Sequence, residues 1–407
     1  MQNKTKNWRN LTIEDIASFQ GGSQPPKSTF ESSPSPYNIR LLQIRDYRSD
    51  KNITYIPKEL AKRWCTKNDI MIGRYGPPIF QILRGKEGSY NVALIKAIPK
   101  DIIDREYLYY FLKAEPLFRL IDRLSQRSSG QTGIDMEALK QFPVKLPPLP
   151  EQRKIAEILG TWDRAIETQQ QLIDSLTRRK KALMQQLLTG KTRLPGFEAS
   201  KLVDTRWGTR PEVWKHTKIE NIAKSSSLKN KLNESIPVLS CTKHHGLVDS
   251  LTYFKKQVFS DDLSGYRVVN RGEFTYATNH IEEGSIGYQN IHDSGLVSPM
   301  YTVFKTDTSV ISEFLFPLLK TELYIHIYQA MTNASVDRRG SLRWNDFSKI
   351  PLSIPSIEEQ QAIATVLTSA DKEIKLHTAH LESLRTQKRG LMQQLLSGKT
   401  RVTTTKN

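Results

Sequence analysis

At 407 residues, 38% of them apolar and a quarter charged, the chain exceeds one ordinary core, so two or more domains are predicted and a disordered chain is excluded. Its formal net charge of +18 points to a polyanionic partner. No apolar run approaches the ~18 residues of a membrane span, and MQNKTKNWRN lacks the apolar core of a signal, so a membrane is excluded and a cytoplasmic protein expected.

From the N-terminus, Trp8 opens a segment that continues Ile13-Glu14-Asp15-Ile16-Ala17. Short β-like runs follow (IRLLQI, DIMIG, VALIKAI), then a helix-like YLYYFLK from Tyr107 and a closing stretch, Leu139 to Pro147. Basic, glycine-punctuated loops interrupt them. Arg74, Tyr75, Gln81, Arg84 and Lys86 fall in one loop region, and Arg127, Ser129 and Gln131 in another. Cys65 and Cys241 are the only cysteines and form no C-x-x-C pair, which argues for a reducing compartment and against a zinc finger.

A long amphipathic run comes next. Ile155, Leu159, Trp162, Ile166, Ile173, Leu176, Leu183 and Leu187 step by fours and threes, with polar breaks at Gln169 and Lys180. About 35 residues at ~1.5 Å each make a rod of roughly 50 Å. Pro150 precedes the run, and Gly190 falls where a C-terminal glycine cap belongs.

Then the plan repeats. Trp214 opens Ile219-Glu220-Asn221-Ile222-Ala223; the runs IPVLSC, EFTYA and MYTVFK follow, then FLFPLLK from Phe314 and a closing stretch from Phe347 to Pro355. The matching loops hold Tyr276, Asn279 and His280, then Arg338, Arg339 and Arg343. A second seam runs through Ile363, Leu367, Ile374, Leu381, Leu384, Leu391 and Leu395, with Ala370 opposite Trp162 and polar breaks at His377 and Lys388. A capping box is predicted at Ser356–Glu359, and a glycine cap at Gly398. Over Glu151–Arg193 and Glu359–Arg401 roughly 20 of ~43 positions are identical, an internal repeat ending LMQQLLTGKTR and LMQQLLSGKTR.

The expectation is an α+β chain: two globular α/β heads joined by two long helices that zip as an antiparallel coiled coil, with an internal pseudo-twofold repeat. Boundaries are placed at 1–146, 147–196, 197–352 and 353–402, with a tail at 403–407. If Lys180 and Lys388 lie in an apolar seam, leucine at both should stabilise the rod.

No catalytic constellation is visible. Tyr75-Gly-Pro-Pro-Ile-Phe80 is similar to the tetrapeptide with which amino-methyltransferases hold a flipped base, but Gly76 stands where the acceptor side chain belongs. Gly-Lys-Thr at 190–192 and 398–400 lacks the earlier glycine of a phosphate loop and sits at a helix C-terminus. Adjacent His244 and His245 are read as a loop, and no metal site is expected. Arg, Asn and Gln in the head loops suit base edges in the major groove, with Lys and Arg elsewhere for phosphates.

PLPEQRKIAEIL and its echo IEEQQAIATVL, the paired LMQQLL[TS]GKTR endings with LPGF after the first, the openings at Trp8 and Trp214 and NDIMIGRYG from Asn68 resemble the specificity subunit of type I restriction–modification systems over residues 1–402. The resemblance implies two target-recognition domains, each reading half of an asymmetric bipartite site in double-stranded DNA, and a helical spacer. It also implies two methylation subunits, which carry S-adenosylmethionine and act on adenine N6, and motor-nuclease subunits. This chain would hold no cofactor and perform no catalysis. The rivals are a coiled-coil scaffold and the specificity module of a self-contained methyltransferase–endonuclease.

Overall fold

The computed structural model describes residues 7–125, 133–197, 200–232, 234–333 and 341–403. Two long helices, Leu149–Leu187 and Ile357–Leu396, each follow a head of mixed strands and helices. The chain divides into two compact units, Met1–Gln170 with Ala379–Asn407, and Gln171–Thr378. Each unit therefore holds one head, the beginning of the helix that follows it and the end of the other helix.

The heads share a frame. In the first, an antiparallel sheet runs in the order Ala17–Gly21, Leu94–Pro99, Ile70–Gly73, Gln81–Leu83. In the second, the order is Ala223–Ser226, Tyr301–Thr306, Phe274–Ala277, Ile286–Tyr288, strand for strand the same plan. The central strands read as almost unbroken apolar runs because side chains on both their faces are buried. In each head the strand after the opening tryptophan pairs with the closing strand: Arg9–Thr12 with Pro143–Leu146, and Lys215–Lys218 with Pro351–Ile354. The six predicted β-like runs all supply strands.

YLYYFLK lies on the helix Arg105–Leu112, whose first turn is capped by Asp104 accepting from the Tyr107 N–H at 3.0 Å. FLFPLLK lies on Ser312–Leu319. A second helix follows in each head, Glu115–Ser125 and Glu322–Asn333.

Beyond this frame the heads diverge. The first adds a sheet of Tyr55–Pro57, Asn38–Leu42, Gly88–Tyr90 and Trp64–Cys65. The second adds three two-stranded sheets, two of them hairpins, of which Leu202–Thr205 with Gly208–Pro211 stands before the head proper.

Each core draws on both helices. Ile155 and Leu159, from the start of the first helix, join Leu395 and Leu396 in the core of the first unit. Ile363 and Leu367 join Leu187 and Leu188 in that of the second.

Two details at the helix ends differ from the sequence reading. Pro150 lies inside the first turn rather than before it, where its missing N–H costs no hydrogen bond. Ser356 accepts from the Glu359 N–H at 3.4 Å, but the Glu359 carboxylate is bound elsewhere and does not close a capping box. Gly190 and Gly398 adopt φ of 69° and 71°, the left-handed cap only glycine takes without strain.

Candidate nucleic-acid interface

The repeated letters of the helices meet in repeated contacts. Arg401, at the end of the second helix, places Nε 2.6 Å from Glu151 Oε1 and a terminal nitrogen 2.7 Å from Oε2 at the start of the first. Trp8 Nε1 donates to the same carboxylate at 3.1 Å. In the second unit Arg193 holds Glu359 at 2.9 and 2.7 Å, and Trp214 donates to it at 3.2 Å. Both carboxylates are buried, so the bidentate fork and the indole replace the water they lose.

The next residue anchors the head. Gln152 accepts from the Asp104 N–H at 2.7 Å and donates to the carbonyls of Ile102 and Pro147. Gln360 does the same with Ile311, Ser309 and Pro355. The Glu-Gln pair of each repeat thus binds the far helix with one side chain and its own head with the other.

Within each unit the helices run antiparallel. Lys388 pairs with Asp163 in the first, and Lys180 with Asp371 in the second, both at 2.5 Å. Burial works to raise the Asp163 pKa, but Lys388 and the Tyr110 hydroxyl, 2.7 Å away, outweigh it and hold the carboxyl below its ordinary range. Of the seam residues, Ile155, Leu159, Leu187, Ile363, Leu367, Leu381 and Leu395 are buried. Trp162, Ile166, Ile173, Leu176, Leu183, Ile374, Leu384 and Leu391 are half-buried, while Leu172 and Leu376, one step off the seam, are exposed. Lys180 and Lys388 are not bare polar breaks in it, because each has an aspartate partner on the facing helix.

In the first head, Arg74 and Tyr75 follow the strand Ile70–Gly73; Tyr75 is exposed, with the Arg74 guanidinium 5.5 Å from its ring centre. Gln81 accepts from Arg48 at 3.2 Å, adding an exposed arginine that the sequence reading missed. Arg84 is committed internally, paired with Glu106 at 2.6 Å and 3.8 Å over the Tyr109 ring. Lys86 is likewise paired with Asp50 at 2.8 Å. Arg127, Ser129, Gln131, Arg338 and Arg339 lie outside the described residues.

In the second head, Tyr276 is a correction. It is fully buried, stacked 4.3 Å from Phe347 in the core, because its strand turns both faces inward; it cannot reach a ligand. Asn279 and Arg343 do converge. The Leu342 N–H donates to the Thr278 carbonyl at 2.8 Å, tying the two predicted loops together. A cavity of about 790 Å³ opens there, lined by both residues and by Arg267, Tyr301, Trp344 and Asn345. Arg267 and Asn345 were not singled out from sequence, since neither stands in a glycine-marked loop.

His280 is exposed beside Glu282 and Glu283, their potential ligand atoms within 4.8 Å of one another. His244 and His245 are exposed at the turn between Leu239–Thr242 and Gly246–Asp249. Burial pushes the Cys65 thiol up to about 11 and that of Cys241 to about 12, so both are protonated and unreactive at neutral pH. Among the described residues no helix is long and apolar enough to cross a membrane.

The sequence profile of the type I restriction modification DNA specificity domain matches twice, at residues 5–178 and 211–386. The chain is 26% identical over 411 residues to the type I restriction enzyme MjaVIII specificity subunit of Methanocaldococcus jannaschii, covering 98% of this chain and 94% of that one. It is 25% identical to the putative MjaX specificity subunit of the same organism, over 98% and 95% of the two chains. In fold it is similar to the crystal structure of a type I restriction–modification S subunit from M. genitalium, with a TM-score of 0.55, 16% identity and 99% of each chain covered. With both repeats matched, the chain belongs to the type I restriction–modification DNA specificity family.

Proposed function

We propose that each head reads one half of an asymmetric bipartite site in double-stranded DNA. The paired helices set the separation of the half-sites. With the heads, they dock two methylation subunits that carry S-adenosylmethionine and modify adenine N6; motor-nuclease subunits join that assembly. The chain itself supplies recognition and no catalysis.

One observation carries this reading: the same Glu–Arg–Trp clamp holds each of two heads whose loops differ. A duplicated frame gives two equivalent mounting points, and dissimilar loops on them give two different sequences to read. Helices of 39 and 40 residues, about 60 Å long at ~1.5 Å per residue, suit half-sites about one to two helical turns apart. Asn279, Arg343 and Arg267 offer the donors and acceptors that base edges require.

Duplex binding by the chain together with its cognate methylation subunit, titrated between 50 and 200 mM salt, tests the reading. Sequence-specific binding that weakens by about 10³-fold or more supports it, as expected when several phosphates are neutralised. Binding without sequence preference, or none, favours the scaffold.

A further inference from the structure

The first unit holds an open apolar groove of about 360 Å³ between its head and the end of the second helix. Its floor is Phe111, Pro116, Phe142, Pro143, Met392 and Leu396. In the second unit the matching groove is filled in part from within the chain, while the counterparts of Met392, Ser397 and Lys399 (Met184, Thr189 and Lys191) still line an opening of about 490 Å³. In the second unit the equivalent positions of Phe111, Pro116, Pro143 and Leu396 are Leu318, Leu323, Pro351 and Leu188, and there Trp207 is seated among them. That tryptophan sits at the tip of the hairpin Leu202–Pro211, half-buried against the core and edge-on to His326 at 6.2 Å.

The rim differs from the floor. Lys145, Arg389 and Lys399 edge the groove, and Arg119 and Arg123 line the adjoining depression. The one acidic residue among them, Glu115, is bound by Arg119 at 2.5 Å. Arg119 is also the positional counterpart of His326, so a ring seated here would meet a guanidinium instead of an imidazole.

We propose that this groove seats a tryptophan presented by an acidic-flanked segment of a methylation subunit, which takes in trans the place that Trp207 takes within the chain. An apolar floor of this size excludes phosphates and suits an aromatic anchor, while the basic rim selects acidic flanks. The proposal rests on the reading that methylation subunits dock here, and adds where one of them is held.

The test uses the full chain and its purified cognate methylation subunit, with the dissociation constant and stoichiometry measured for four proteins. These are the unaltered chain, Ser397→Trp, the pair Arg389→Glu with Lys399→Glu, and Lys191→Glu. Ser397→Trp fills the groove from its own edge; the charge reversal leaves the floor intact and decides the matter if the filled variant does not fold. Lys191 is the counterpart of Lys399 in the second unit and serves as the control. The expected result is a loss of about tenfold or more in affinity for one subunit in the first two variants, with Lys191→Glu within about twofold of the unaltered chain. Unchanged affinity in both groove variants overturns the proposal while leaving the docking reading intact. So does a charge reversal that weakens duplex binding alone, which would make the rim a phosphate contact. An unaltered chain that forms no complex overturns both.

Discussion

Arg401 grips Glu151 across 250 positions of sequence, through a two-pronged contact of 2.6 and 2.7 Å. Arg193 repeats the grip on Glu359. The two repeat endings are alike because each supplies the arginine for a carboxylate at the start of the other helix. Each pair fastens the end of one helix to the start of the other beside a head, and each carries its own tryptophan donor.

The two clamps should differ in strength. The Arg193 side chain is 14% exposed and that of Arg401 33%, while both carboxylates are buried. Arg193→Ala therefore strands a buried charge more completely and is predicted to cost about 2–4 kcal/mol. Arg401→Ala should cost about 1–2 kcal/mol, since solvent already screens the pair. Denaturant unfolding of the two variants checks the order; an equal or reversed ranking contradicts it.

Leucine at Lys388 was expected from sequence to stabilise the rod. With Asp163 opposite, the sign reverses, because the substitution leaves a half-buried carboxylate without its cation. Lys388→Leu should lose about 1–2 kcal/mol, and Lys180→Leu less, as Asp371 is more exposed than Asp163. Adding Asp163→Leu to Lys388→Leu should recover most of the loss. Thermal melts of the three variants decide this; a more stable Lys388→Leu would refute the pairing.

Acid should expose the same contact. The folded pKa of Asp163 is depressed below its ordinary 3.8, so its stabilisation is complete above that pH and is lost as pH falls through the folded value. At neutral pH, Asp163→Asn should be less stable by about 1 kcal/mol. The gap between variant and unaltered chain should close below pH 3.8. A gap that stays constant down the acid limb would show that Asp163 is not held as its ionised form.

In the heads, Arg84 and Lys86, each held by a carboxylate of the first head, should matter less than the residues that line the second head's cavity. Arg84→Ala and Lys86→Ala remove cations committed to Glu106 and Asp50 and should change duplex affinity less than about threefold. Asn279→Ala with Arg343→Ala empties the wall of the second head's cavity and should weaken specific binding by about 10–100-fold. Titration against a cognate duplex compares them.

The helices were legible because their signal is local: a seam repeats every few residues, and glycines mark the ends. The central strands were legible because buried strands are written as short apolar runs. The Glu151–Arg401 clamp was not, since Glu359 reads locally as part of a capping box and its partner is fixed only by tertiary packing. The hairpin carrying Trp207 passed unnoticed because four-residue strands of mixed polarity resemble a linker. Tyr276 misled for a related reason. A polar-tipped aromatic beside a loop reads as a contact residue, while its strand, buried on both faces, turns it inward.

The most direct measurement is a base-resolution map of N6-methyladenine in cells expressing this chain with its cognate methylation subunit, beside cells lacking the chain and cells carrying Asn279→Ala with Arg343→Ala. The account predicts a new asymmetric, gapped motif, with only one half relaxed in the variant. An ungapped motif, relaxation of both halves together, or no new methylation while the complex is present would contradict it.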